Sequence, residues 1–198
     1  MFSGKSKKTK NGIRSLKRIG VLGLGPRSGT THIAVAVSNF LSDEAGLKVV
    51  LCEQNRSSDI DARILSFGAG KAEHRYTYHR VTYIAGDSAQ QVLDTDCDCM
   101  VFDLGHNFST ALNTFQYCDI RIVVGMDAPW RREEYRILEE LAAGGTDISN
   151  WRLFINLGNR KYIEEKAKYG MITGCFPFEP DPVYPCRTTI DFLMEALS

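Results

Sequence analysis

A turn built mostly of glycine, proline and small hydroxyl residues, Gly23-Leu24-Gly25-Pro26-Arg27-Ser28-Gly29-Thr30-Thr31, joins an apolar run to a helical pattern. That junction constrains the fold more than any other stretch. Arg18-Ile19-Gly20-Val21-Leu22 reads as a strand, and Ile33, Val37, Phe40 and Leu41 recur at helical spacing after the turn. A strand that passes through a tight loop into a helix is the repeating unit of a parallel sheet. The backbone N–H groups at such a helix start, aided by the helix dipole, attract anions.

The alternation continues along the chain. Strand-like runs fall at 18–23, 48–53, 81–85, 100–102, 120–124, 152–156 and 174–178, and helical patterns at 30–42, 59–67, 130–143, 160–169 and 188–197. The rest of 56–80 is polar and mixed and reads as a loop holding Gly68 and Gly70, apart from its short helix. No internal repeat or interdomain linker interrupts this order. The expectation is an α/β protein with a doubly wound, mostly parallel sheet and helices on both faces.

At 198 residues, 43% hydrophobic and 24% charged, the chain suits one domain with a full core. Its zero net charge hides an uneven distribution: residues 1–18 carry +7 and no acid, which leaves −7 on the remainder. Residues 1–17 are expected as a basic flexible tail ahead of a single domain at 18–198. Such a tail is either a solvated arm or a contact for acidic lipid, DNA or an acidic partner. The apolar run behind it is too short for a secretion signal, and no run reaches transmembrane length. The six cysteines include no C-x-x-C pair, and Cys97-Asp98-Cys99 is too closely spaced for a usual zinc site. Reduced, mostly buried thiols in a cytoplasmic protein are expected.

Ligands of doubly wound sheets bind beyond the carboxyl ends of the strands, at a switch in strand order. The turn 23–31, Glu53, Asn55, Asp103, Asp127 and Asn156 all fall at such predicted ends. The phosphate-loop pattern G-x-x-x-x-G-K-[ST] supplies a lysine for the terminal phosphates and a hydroxyl for magnesium. With Gly29 as its second glycine, Leu24 stands at the first glycine, Thr30 at the lysine and Thr31 at the magnesium hydroxyl. Gly25, Ser28, Gly29 and Thr30 then line the phosphates. Asp103, after an apolar strand and before Leu104-Gly105, matches the second acidic motif, whose carboxylate holds magnesium through water. Its plainer reading is a carboxylate that caps a loop.

Pro26 removes one N–H from the cradle, and Arg27 either offers a guanidinium in place of the lysine or is simply solvent-exposed. Asn55 cannot accept a proton from an attacking water as an aspartate would. His32, His74, His79 and His106 show no metal spacing and read as structural or surface residues. The segment Trp130–Arg136 reads as a partner surface or, more commonly, as a solvated charged face.

With its motifs in this order, the chain resembles the ParA/MinD group of P-loop proteins, the deviant-motif ATPases that position plasmids, division sites, pili and secretion machines. The resemblance spans residues 18–185. It rests on Gly25–Thr31, on Val49–Glu53 with Gln54-Asn55, on Asp98-Cys99-Met100-Val101-Phe102-Asp103-Leu104-Gly105, on the strand ending at Asn156, and on Phe176-Pro177-Phe178-Glu179-Pro180. It implies ATP or ADP with magnesium as cofactor, Thr31 and Asp103 at the metal, and Asn156 and Pro177 beside the adenine. It also implies protein partners in a larger assembly, a homodimer, and a cytoplasmic location, peripheral at the membrane.

The departures lie in the same motifs. In the family pattern K-G-G-x-G-K-T, Gly25 takes the place of the lysine that reaches across the dimer, and Thr30 that of the second lysine. Glu53 and Asn55 replace a pair of aspartates, and Asp191–Leu197 is short and not basic, unlike the membrane-binding helix of MinD-type proteins. The implied function is a positioning or assembly factor with weak or no ATPase activity. Two other readings stay open. Gly23-x-Gly25-x-x-x-Gly29 also resembles a dinucleotide turn, with Glu53 as ribose ligand, as in a Rossmann-type NAD(P)-binding enzyme. The third is a nucleotide-free structural adaptor whose basic tail does the binding.

Overall fold

The computed structural model describes residues 18–55, 60, 75–85, 95–158 and 169–198. The tail 1–17, His74, the loop with Gly68 and Gly70, and the predicted helices 59–67 and 160–169, apart from Ile60 and Tyr169, lie outside them. In chain order the elements are β1 (Arg18–Gly23), α1 (Thr30–Asp43), β2 (Val49–Glu53), β3 (Arg75–Tyr78), β4 (Val81–Ala85), β5 (Cys99–Asp103) and α2 (Phe108–Gln116). There follow β6 (Ile120–Met126), a 3-10 helix (Pro129–Tyr135), α3 (Arg136–Ala143), β7 (Arg152–Asn156), β8 (Ile172–Cys175) and α4 (Arg187–Ala196).

The eight strands form one sheet in the order β3-β4-β2-β5-β1-β6-β7-β8. Every pairing is parallel except the antiparallel β3–β4 hairpin. A parallel sheet covered on both sides needs strands that are apolar on both faces. The inner strands supply this: Val49 and Leu51 of β2 join one core cluster, and Val50 and Cys52 join the other. The first cluster carries Ile33, Val37 and Phe40 of α1 and Leu193 of α4, and the second Phe115 of α2 and Leu138 of α3. Phe115 meets Trp151 edge to face at 5.0 Å, which anchors α2 beside the entry to β7.

Leaving β1 through α1, the chain travels toward β2; leaving β5 through α2, it crosses β1 to reach β6. The carboxyl ends of β1 and β5 therefore flank the switch in strand order, where a crevice opens.

Four local expectations are corrected. The predicted strand 174–178 is β8 at Ile172–Cys175; Phe176 N still donates to Ile155 O at 3.0 Å, but Pro177 has no N–H to continue the ladder. The supposed loop near 75–80 contains β3, an edge strand whose one fully buried side chain is Tyr76. The predicted helix 130–143 is a 3-10 helix followed by α3. An unpredicted helix, α2, lies between β5 and β6. Among the described residues no helix is long and apolar enough to cross a membrane.

Candidate functional site

The turn after β1 leaves from the rigid centre of the sheet. Gly23 N donates to Gly105 O at 2.7 Å, Leu24 N to Val124 O at 2.8 Å, and Leu104 N to Val21 O at 2.9 Å. These bonds fix β1 to the segments on either side just before the chain turns. The turn ends at Gly29, the N-cap of α1, with φ of 94°. This left-handed conformation suits glycine, and a β-carbon there would also come within 2.2 Å of Asn156 Nδ2. Asn156, at the end of β7, donates instead to Ser28 O at 2.6 Å. α1 has no side-chain cap and no acid in its first turn. Its leading N–H groups have no intrahelical acceptor and are arranged to receive an anion.

Thr31 and Asp103, 72 residues apart in sequence, meet at this helix start. Thr31 Oγ1 donates to Asp103 Oδ2 at 2.6 Å, and Gly105 N donates to Asp103 Oδ1 at 3.1 Å. Asp103 is fully buried, so its oxygens depend on these protein hydrogen bonds in place of water. A hydroxyl that gives its proton to a carboxylate keeps its oxygen lone pairs for a cation. One hydroxyl and one carboxylate form the hard-oxygen donor set of a magnesium ion, and they fit one here. Ser28 Oγ and Thr30 Oγ1 lie 3.0 Å apart and buried, so the hydroxyl at the lysine position is turned into the loop. Arg27 is exposed with φ of 57°, and Gly25 is buried.

Sequence reasoning missed two residues at this loop. The charged face read into Trp130–Arg136 is not wholly solvated, because Arg131 and Glu134 turn inward with side chains only 11% and 22% exposed. Arg131 Nη2 donates to Pro26 O, Nε donates to Glu134 Oε1 at 2.9 Å, and Nη1 lies 3.4 Å from Met126 Sδ. A β-carbon on Gly25 would stand 2.3 Å from the Glu134 carboxylate. The 3-10 helix explains the arrangement, since three residues per turn align positions i and i+3 on one side. Its starting proline, Pro129, comes three residues after β6, and Tyr135 OH ties its last turn to Met126 O at 3.2 Å. That early proline was the available signal.

The other sequence candidates scatter. Glu53 has 0% exposure, and its Oε1 lies 3.4 Å from Ile60 N as acceptor, so it is not presented to a ribose. Asp127 N donates to Asn156 O at 3.0 Å, which places it at the same sheet edge. Pro177 is half-buried just past β8. His79 and His106 are exposed, and His79 engages Tyr184 at the β3–β4 turn, at the opposite end of the sheet. Around the carboxyl rim, the segments after β6, β7 and β8 expose Trp130, Leu157 and Phe178 at 83%, 71% and 81%.

No protein-family model and no curated protein matches the chain. Solved structures do. A MinD cell division protein from Aquifex aeolicus aligns over 91% of this chain and 96% of its own, with a TM-score of 0.65 at 15% identity. A putative plasmid partition protein from Borrelia burgdorferi B31, bound to AMPPNP, aligns over 92% and 98%, with a TM-score of 0.64 at 14% identity. A ParA family ATPase from Chlorobium tepidum TLS aligns over 93% and 100%, with a TM-score of 0.62 at 12% identity. At such identities the likeness speaks for the fold alone. The chain has a ParA/MinD-like P-loop fold.

Proposed function

We propose that the chain is a nucleotide-binding positioning or assembly factor that holds ATP or ADP with magnesium and turns ATP over slowly or not at all. The observation that carries this reading is the Thr31–Asp103 bond at the head of an uncapped helix. In this reading the loop from Gly25 to Thr31 receives the phosphates on its backbone N–H groups. Thr31 and Asp103 hold the magnesium ion, Asp103 through water. Arg27 lies at the mouth, and Asn156 and Pro177 border the base.

Slow turnover follows from chemistry missing in the sequence. No lysine occurs from Ile19 to Leu47, so charge developing on a terminal phosphate lacks its usual partner. Asn55 cannot act as a base. That the similarly folded Borrelia protein is bound to AMPPNP supports a nucleotide ligand. The burial of Glu53 counts against a dinucleotide enzyme. The three exposed apolar side chains on the rim support a protein partner there. In this proposal residues 18–198 form one domain, cytoplasmic and peripheral at the membrane, and the basic tail meets acidic lipid or DNA. A nucleotide-free adaptor is the second reading, favoured by the Glu134 carboxylate that stands against Gly25.

Calorimetric titration with ATP, ADP and NAD, with and without magnesium, tests the reading. Magnesium-dependent binding of ATP or ADP, lost in Thr31→Ala, is the expected result. Binding of NAD alone, or of no nucleotide by a folded sample, contradicts it.

A further inference from the structure

Among the described residues, a half-buried cation lies directly on the phosphate loop, and it is not the arginine within the loop. Arg131 contacts the Pro26–Arg27 peptide through the Pro26 carbonyl, whereas Arg27 itself is exposed. The guanidinium is poorly used where it stands. One donor goes to Glu134 Oε1, and Nη1 faces the thioether of Met126, a weak acceptor. Its anion is also incompletely satisfied: Glu134 Oε2 is buried with no hydrogen-bond partner among the described residues. A carboxylate with one buried oxygen left unbonded is an incompletely satisfied partner.

Resting on the nucleotide-binding reading above, we propose that Arg131 is the cation that meets the phosphates at this loop, and that Glu134 competes with those phosphates for it. A guanidinium binds phosphate by two parallel bonds, and a polyphosphate brings more negative charge than one carboxylate. Glu134 holds Arg131 beside the loop when no phosphate is present and is displaced from it when phosphate arrives. The same carboxylate fills the space a side chain at position 25 would need, which ties the glycine there to the competing acid. Arg131 thus takes over, from a neighbouring helix, the charge that Thr30 lacks.

The test is calorimetry on the full chain with magnesium–ADP and with tripolyphosphate, a probe of the phosphate chain alone. Wild type is compared with Glu134→Gln, Arg131→Lys, Arg131→Ala/Glu134→Gln and Thr31→Ala, each verified as folded by thermal melting. Glu134→Gln keeps the shape and removes the competing charge, so binding of both probes should tighten about tenfold. The gain should shrink with added salt. It should vanish in the double variant, and Arg131→Lys, which keeps charge but not the fork, should weaken binding relative to wild type. If Thr31→Ala loses binding while Glu134→Gln leaves it unchanged, the nucleotide reading stands and this proposal falls. If neither wild type nor Glu134→Gln binds either probe, both fall.

Discussion

The phosphate loop has two flanks, and they are built on opposite terms. On the flank facing β5, the fully buried Asp103 has a partner for each oxygen, Thr31 at 2.6 Å and Gly105 at 3.1 Å. On the flank facing the 3-10 helix, Glu134 has one bonded oxygen, one orphaned oxygen, and contact with a glycine whose β-carbon would collide with it. The first flank is satisfied and suited to a metal ion. The second leaves one carboxylate oxygen unbonded and has no room for a side chain at position 25. The two flanks are secured separately, the first by β1 and β5 and the second by the 3-10 helix.

The sharpest way to break this contrast is on the metal flank. Thr31→Ala leaves Asp103 short of its hydroxyl partner, and magnesium-dependent ADP affinity should fall about 10–100-fold. Calorimetry reads it; an unchanged magnesium dependence would show that the pair is only structural.

On the other flank, Gly25→Lys should overpack the site against Glu134 and cost about 2 kcal/mol. Combining it with Glu134→Ala should recover most of that loss in urea melts, a coupling that independent sites would not show. Asn156→Ala removes the bond to Ser28 O and should cost about 1 kcal/mol, also read in urea.

The smallest effect sharpens the comparison of carboxylates. Glu179 is buried, like Asp103, and well bonded, with Asp181 N at 3.2 Å and Cys186 N at 2.7 Å. Burial pushes its carboxyl up, but the backbone bonds from Cys186 and Asp181 and side-chain bonds from Thr189 and Cys186 outweigh it and leave it below the ordinary value. Its stabilisation is therefore present above the ordinary carboxylate value and is lost as pH falls through the lowered folded value. Glu179→Gln should flatten the acid limb of a stability–pH curve, whereas Glu179→Asp should retain part of it.

Much of the sheet was legible because its strands are buried on both faces and so read as apolar runs. β1 and β7 lie at 18–23 and 152–156 as expected, and the β4 run at 81–85 was equally plain. β3 was not, because an edge strand of Arg-Tyr-Thr-Tyr with one buried side chain lacks that run. α2 was hidden for a similar reason: only Ala111 and Phe115 of its nine residues are buried, amid Ser, Thr and Asn. At the site, Thr31 and Asp103 could be read from motif order, since backbone topology brings strand ends together. Arg131 and Glu134 were harder to read, because a charged pair at i and i+3 looks the same in sequence whether it faces water or a loop, and only Pro129 hinted at the tighter turn.

Amide hydrogen exchange of the loop, with and without magnesium–ATP, tests the nucleotide reading most directly. Phosphates seated on the turn should protect the N–H groups of residues 27–32, only with magnesium present, and Thr31→Ala should abolish that protection. Unchanged exchange across the turn at saturating ATP, in a sample whose sheet amides stay protected, would contradict it and leave the fold as a scaffold without a nucleotide.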